Sequence, residues 1–465
     1  MGGLFGVFSD SDCLEDLFYG TDYHSHLGTR RGGLAVKNSG GFQRFIKDIT
    51  TTQFRSKFEK DIKKMHGNKG IGVISDYDDQ PLIISSGLGV FAISTVGKIN
   101  NLEYLAKEAL KNGTHFSEMH GGEINPTEMV ATIISQGSTF KEGIQKVQNL
   151  VKGSCTILLL TSEGIYAARD KFGRTPLILG KKVGSYAVTM ETCAFPNLGY
   201  EIIKYLGPGE IILLSQKGVE QKAAPRDQMQ ICAFLWVYYG YPASNYEDIN
   251  VEVVRYKCGS YLSKNDDIEI DLVAGIPDSG TGHGLGYANE AKIPFSRPFV
   301  KYTPTWPRSF MPQVQSIRDE VAKMKLIPIK ELIEDKRLLF CEDSIVRGTQ
   351  LRKTIQRLFD YGAKEVHMRP ACPPLVYSCK FLNFSRFRSE LDLAGRWAIK
   401  ELIGRDIDDP AEYTDPESDN FKAMVDVIRK RLRLTTLQYQ KLEDLVKAIG
   451  LPKEKLCTYC WDGVE

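Results

Sequence analysis

The sequence is short of the features that mark specialised chains. Cysteine is scarce, with 10 in 465 residues, which is too few for a disulfide scaffold. Neither charge predominates: 60 Lys and Arg face 58 Asp and Glu, for a net charge of +2. That balance leaves no electrostatic footprint for nucleic acid or an anionic membrane. No apolar run approaches the ~18 residues that a membrane span needs. The opening stretch Met1–Asp10 has no basic region and soon turns acidic, which argues against a signal peptide. Internal repeats and low-complexity tracts are missing as well. These absences point to a cytoplasmic chain. What is present is an ordinary globular composition, 42% hydrophobic and 25% charged. At ~150 residues per domain, the length predicts two or three domains.

Six cysteines stand alone (Cys13, Cys155, Cys193, Cys258, Cys341 and Cys372) and are expected as reduced, mostly buried thiols. Cys457 and Cys460 form a C-x-x-C, which by itself is compatible with zinc, with iron–sulfur or with no metal.

Residues 1–226 read as a strand-rich unit. Short apolar runs at 70–75, 81–86, 155–160, 165–168, 177–180 and 210–215 predict stacked antiparallel sheets, with helices near 54–64 and 127–135. The polar stretch Gln216–Gln228, which contains Pro225, reads as a linker. Over 227–395 the rhythm becomes strand, loop, helix, which predicts a mostly parallel α/β sheet. A strand at 268–276 leads into a glycine-rich loop and a helix. A strand at 337–341 leads into a loop and a helix at 350–361, where Leu351, Ile355, Leu358 and Phe359 recur at helical spacing. Residues 396–465 are charged, with helices predicted over 418–432 and 436–449.

The most informative segment is Glu342-Asp343-Ser344-Ile345-Val346-Arg347-Gly348-Thr349, which follows the apolar run Leu338–Cys341. Two adjacent carboxylates sit where a strand ends, and a turn with Gly348 and Thr349 opens a helix. A helix N-terminus offers unpaired N–H groups and positive dipole to an anion. Carboxylates suit sugar hydroxyls or a hydrated Mg²⁺. The pattern asks for a phosphorylated sugar held at both ends. An ordinary β–loop–α turn with a capping Thr is the plain alternative. No G-x-x-x-x-G-K-[ST] motif occurs, and the Gly280–Gly286 run lacks the spacing of a dinucleotide fingerprint.

This loop resembles the phosphoribosylpyrophosphate (PRPP) loop of type I phosphoribosyltransferases, and closely that of the glutamine PRPP amidotransferases, with Glu342 in place of their first Asp. The resemblance continues through Gly275–Gly280 and Gly286–Ala288, similar to the family's pyrophosphate-side loop and helix. It extends over Lys301–Leu326, similar to the loop that closes over PRPP. Ala168–Leu177 and Leu206–Glu210 resemble the family's glutaminase domain. The fold implied is α/β: an N-terminal, N-terminal-nucleophile (Ntn) hydrolase-like αββα sandwich, a type I phosphoribosyltransferase-like parallel α/β domain, and a helical C-terminal tail. The roles implied are ribose or Mg²⁺ contact for Glu342 and Asp343, 5′-phosphate contact for Ser344, Arg347, Gly348 and Thr349, and pyrophosphate closure for Arg308 and Lys325. Cys232 and Cys379 match family positions that, with Cys457 and Cys460, hold a 4Fe–4S cluster; zinc on the same four thiolates is the alternative. The resemblance places a Mg²⁺-side hydroxyl near Gly280, which has none, so Ser279 or water would serve.

The resemblance breaks at the glutaminase site. The family's nucleophile is an N-terminal cysteine, whereas this chain reads Met1-Gly2-Gly3, and a glycine cannot be a nucleophile. The family's glutamine-gripping Arg falls within Val73–Tyr77, its Asn-Gly oxyanion pair on Val96-Gly97, and its substrate-amine Asp on Pro126 within Asn125–Glu128. Cys13 and Ser9 are near in sequence, and His24 and His26 are expected at the surface. The expectation is therefore an amidophosphoribosyltransferase-like enzyme of purine synthesis, displacing pyrophosphate from PRPP with free ammonia or ammonia from a partner enzyme. The family further implies a homo-oligomer with purine-nucleotide effectors. The alternatives are a non-catalytic PRPP or nucleotide regulator, or phosphoribosyl transfer to another nucleophile.

Overall fold

The computed structural model describes residues 2–117, 119–120, 122–302, 326–383 and 389–465. Strand β1 (Gly2–Ser9) is buried along its whole length because it lies inside a seven-stranded sheet. Its neighbours, β2 (Lys69–Ser75) and Ser185–Thr189, both run antiparallel to it. A six-stranded antiparallel sheet contains β3 (Gly89–Ile99) and β4 (Gly153–Leu160). Leu4 and Val73 of the first sheet share one core with Val96 and Leu158 of the second, so the sheets pack face to face. Phe54 and Phe58 of the helix Phe54–Ile62 cover the outer face of the first sheet. Val130 and Ile134 of α1 (Pro126–Ser135) cover that of the second. The layering is αββα. The expected linker is in part a strand: Gly218–Ala223 pairs antiparallel with Ile211–Ser215, and only 224–230 run outside the sheet.

A four-stranded parallel sheet follows, made of β5 (Leu272–Gly275), β6 (Arg337–Glu342), β7 (Glu365–Pro370) and β8 (Thr436–Leu437) in that order. The strand expected at 268–276 is confined to 272–275. The glycine-rich run is helical rather than a loop. It lies in α3 (Gly280–Ala291), packed on α2 (Val251–Lys264) so closely that a Cβ at Gly286 would sit 2.0 Å from the Tyr256 carbonyl oxygen. Helix α4 (Thr349–Asp360) follows β6 as expected, and α5 (Asp419–Leu432) buries Met424, Ile428 and Leu432. The helix expected from 436 begins only at Leu442, as α6 (Leu442–Ile449), because Thr436 and Leu437 extend the parallel sheet beside β7. Among the described residues, no helix is long and apolar enough to cross a membrane.

A buried ion pair locks the sheet to its helices. Arg369 of β7 donates to Asp266, just past α2, at 2.5 Å (Nε–Oδ2) and 3.0 Å (Nη2–Oδ1), and each side chain is 2% exposed. Removing one partner leaves the other charge buried and uncompensated. Asp266→Ala should therefore lower the unfolding free energy by about 3–5 kcal/mol, read by urea titration.

Candidate functional site

Strand β6 carries Leu338, Leu339, Phe340 and Cys341, all fully buried, and ends at Glu342. The buried strand fixes where the two acids emerge. The Asp343 amide donates to Glu342 Oε1 at 3.1 Å, and the Ser344 hydroxyl donates to Asp343 Oδ1 at 2.6 Å. Burial, then the charge of Asp343, pushes the Glu342 carboxyl well above the usual carboxylate range. Gly348 holds φ 74°, a left-handed conformation that suits glycine, and is the N-cap of α4. It supplies no side-chain cap, so the amides of the first turn of α4 are not capped by a side chain and Thr349 is the first helical residue, not the cap. Arg347 is half exposed and pairs with Asp392 at 3.1 Å.

The neighbouring loop is latched to this one. The Ile276 amide donates to the Cys341 carbonyl at 2.9 Å, and the Ser279 hydroxyl bonds Glu342. A Cβ at Gly280 would lie 2.3 Å from the Cys341 carbonyl oxygen, so no side chain can stand there. Ser279 is thus the hydroxyl facing the acids, and Lys301 pairs with Asp278 on the same loop. Arg308 and Lys325 lie outside the described residues.

In the first sandwich, the position of the family nucleophile is closed by packing. A Cβ at Gly2 would come 2.6 Å from the Ile74 carbonyl oxygen and 3.2 Å from Val96 Cγ2, and one at Gly3 would meet His24 at 2.5 Å. Polar groups nearby are engaged locally. Ser75 Oγ accepts from the Tyr77 amide at 3.1 Å, Asn125 caps α1 through the Thr127 amide at 2.8 Å, and Glu128 accepts from the Ser117 amide at 2.8 Å. Ser9 and Cys13 are buried.

Of the two histidines expected at the surface, His24 is buried and His26 is half-buried. His24 is fully buried, with Nδ1 at 2.8 Å from the Gly20 carbonyl and Nε2 at 3.1 Å from the Thr189 hydroxyl. His26 lies 3.2 Å from Oε1 of the buried Glu191, which also accepts from Tyr246 at 2.7 Å and from Ser244. Burial opposes the charge of Glu191, but His26, Ser244 and Tyr246 hold it below the usual carboxylate range. Beside His26 opens a cavity of about 400 Å³ lined in part by Asp22, Arg55, Cys193 and Tyr241. This network was not legible in the sequence, because His26 lies far along the chain from Glu191 and Tyr246 and none of them carries a motif.

All ten cysteines are free, and the six isolated ones are buried. Cys232 and Cys457 stand side by side in a two-residue parallel ladder, Ile231–Cys232 against Leu456–Cys457. The Cys460 carbonyl accepts the Val376 and Tyr377 amides at 3.2 and 3.3 Å, which brings in the Cys379 segment. Cys379 Sγ accepts from the Leu382 amide at 3.3 Å, and Cys457 Sγ from Arg174 Nη1 at 3.0 Å. Burial, then Cys379, Cys232 and Cys457, raises the Cys460 thiol well above its ordinary value. The four thiols share one region. Among the described residues, however, no three His, Cys, Asp or Glu side chains converge tightly enough to hold a single metal ion.

These features define a class: an amidotransferase-type αββα sandwich joined to a phosphoribosyltransferase-type parallel sheet. A glutamine amidotransferase domain model matches residues 68–196. The amidophosphoribosyltransferase of Methanocaldococcus jannaschii is 28% identical over 100% of this chain and 97% of its own length. That of Mycobacterium tuberculosis is 28% identical over 99% and 85%, and that of Bacillus subtilis 26% over 99% and 93%. The solved B. subtilis glutamine PRPP amidotransferase, complexed with ADP and GMP, superposes with a TM-score of 0.85 at 25% identity, covering 99% of this chain and 96% of that one. Over nearly its whole length the chain is similar to the glutamine PRPP amidotransferases.

Two buried histidines set a pH limit. Burial holds His24 down to about 4 and His283 to about 3, whereas a free imidazole titrates near ~6.5. Between these values the unfolded chain takes up protons that the fold refuses. Stability is therefore complete above about pH 6.5 and falls as pH drops toward 4. Well inside that window each histidine costs about 1.4 kcal/mol per pH unit. Urea unfolding at pH 7 and pH 5.5 should show the loss, and His24→Asn should shrink it.

Proposed function

We propose that this chain binds PRPP through Glu342–Thr349 and transfers its phosphoribosyl group to ammonia, giving phosphoribosylamine and pyrophosphate, the first step of purine nucleotide synthesis. The observation that carries this reading is the juxtaposition at the end of β6: two acids on one side, the side-chain-uncapped N-terminus of α4 behind Gly348 on the other. The helix end and the hydroxyls of Ser344 and Thr349 hold the 5′-phosphate. Glu342 and Asp343 hold the ribose hydroxyls or a hydrated Mg²⁺, which when bound would neutralise charge on the departing pyrophosphate. Arg308 and Lys325 are proposed for closure over the pyrophosphate. The bond from ribose C1 to the pyrophosphate oxygen breaks, the leaving group keeps the electron pair, and C1 bonds to nitrogen, whose surplus proton passes to solvent.

Ammonia arrives free or from a partner enzyme, because glutamine hydrolysis is lost from the first domain. Gly2 offers no thiol, a Cβ there would crowd the Ile74 carbonyl and Val96, and the groups that would grip glutamine are replaced together. Purine nucleotides are expected as effectors, in line with the ADP and GMP of the B. subtilis complex. Cys232, Cys379, Cys457 and Cys460 hold a structural 4Fe–4S cluster. Four thiols on three segments are enough ligands for a polynuclear cluster, and zinc on the same four thiolates is the alternative. Metal analysis finding zinc without iron or sulfide after anaerobic purification would overturn that assignment.

Two measurements test the activity. Glutamate release from glutamine should match the blank, and Gly2→Cys should not restore it, since its Cβ has no room beside Ile74; a rescue would refute the loss. Asp343→Asn exchanges a charge-assisted contact of roughly 1.5–3 kcal/mol for a neutral one, so PRPP affinity by calorimetry with Mg²⁺ should fall about tenfold or more. Undiminished binding, or none by the parent protein, would remove the PRPP assignment.

A further inference from the structure

The first sandwich reaches into the four-cysteine region at several points. Arg174 is 3% exposed. Its Nη1 donates to Cys457 Sγ at 3.0 Å and its Nη2 to Gln230 Oε1 at 2.9 Å. Its guanidinium lies 3.3 Å from the ring centroid of Phe381, two residues beyond Cys379. Its own carbonyl accepts the Cys232 amide at 3.1 Å. One residue of the first domain therefore touches all three segments that carry the four cysteines.

Strand β3 and Asn100 just after it make a second set of contacts. Lys98 Nζ donates to the Cys379 carbonyl at 2.7 Å, Asn100 Nδ2 to the Lys380 carbonyl at 2.5 Å, and Asn383 Nδ2 to the Gly97 carbonyl at 3.1 Å. This is the strand on which the resemblance places the oxyanion pair, now Val96-Gly97. The end of β3 that carries no oxyanion amide side chain holds the Cys379 loop.

The charge at Arg174 needs an answer. Among the described residues no carboxylate pairs with it, and its Nε is buried without a partner. A buried guanidinium is costly unless negative charge compensates it. The side-chain atoms it meets are a neutral amide, an aromatic face and sulfur. Only the sulfur could carry negative charge, which a metal-bound thiolate would supply.

We propose that Arg174 and Lys98 are positioning residues of the four-cysteine site, so that the amidotransferase sandwich is retained as one wall of that site. Arg174 supplies a charge-assisted N–H···S bond to the Cys457 thiolate and clamps the Cys379 loop through Phe381, and Lys98 fixes that loop by its backbone. The inference rests on reading the four cysteines as a cluster site. Hydrogen bonds and positive charge at a ligating sulfur favour the reduced cluster and so raise its reduction potential.

The test compares the full-length protein with Arg174→Met, Arg174→Lys and Lys98→Met, all prepared anaerobically. Iron and sulfide per chain, the reduction midpoint in a dithionite titration and the rate of bleaching in air are read, with PRPP binding measured in parallel. Arg174→Met should shift the midpoint to more negative values and bleach several-fold faster. Arg174→Lys keeps the charge but loses the planar fork, so it should fall between. Lys98→Met should keep the midpoint and bleach faster. A parent with full iron and sulfide whose Arg174 variants match it in midpoint and bleaching overturns the inference alone. If Arg174→Met does not fold, Arg174→Lys decides by the same criterion. A parent without iron or sulfide overturns the cluster reading and this inference together, while PRPP binding by that protein leaves the phosphoribosyl reading standing.

Discussion

A ladder of two residues, Ile231–Cys232 beside Leu456–Cys457, ties the last segment of the chain to the entrance of its second half. Much else hangs from it. The Ala233 amide donates to the Cys457 carbonyl at 3.2 Å, and Trp461 packs on Phe234 with centroids 5.6 Å apart. The Cys460 carbonyl gathers the backbone at Val376 and Tyr377, downstream of Cys372, whose thiol donates to the Asp343 carbonyl at 3.4 Å. A short parallel pairing is weak on its own. Here it is held by side chains from both halves, and through the 372–379 segment it bears on the loop that ends β6.

The phosphate loop was legible because its signals are local. An apolar run, two acids, a glycine and a helical periodicity occupy consecutive residues, and β6, Gly348 and α4 fall where those residues place them. The strands of the sandwich were legible for the same reason. Elements decided by tertiary packing were not. Gly280–Gly286 reads as a loop from composition, yet it is helical because α2 approaches too closely for side chains. Residues 218–223 look like a polar linker, but an edge strand exposes one face and tolerates such residues. Thr436 and Leu437 join a sheet edge although the residues beyond them favour helix. His24 and His26 sit in a polar stretch, and contacts with Thr189 and Glu191 bury the first and half-bury the second.

The residues at the positions where the resemblance places the glutamine site are coupled sterically. A side chain at position 2 points at the Ile74 carbonyl and at Val96, and one at position 3 points at the His24 ring. Glycine at 2 and 3, valine at 96 and a buried histidine at 24 therefore form one packing solution in which none changes freely. A core this tight resists added atoms as well as removed ones. On the proposed reading, reversing one substitution returns a functional group without the space it occupied, so the loss belongs to the whole end of the sandwich and not to one residue.

The loop after β6 presents opposite electrostatic demands within eight residues. Glu342 and Asp343 stand together at the strand end, and their mutual repulsion is relieved by a proton on Glu342, by hydrogen-bond donors or by a cation. Behind Gly348 the first turn of α4 presents positive dipole to an anion. A bare anion would satisfy the helix and be repelled by the acids, and a bare cation would do the reverse. A ligand that carries phosphate at one end and hydroxyls or a metal-bound pyrophosphate at the other meets both demands at once. On the proposed reading, the spacing of opposite charges, more than any single residue, selects a doubly phosphorylated sugar over simple phosphate.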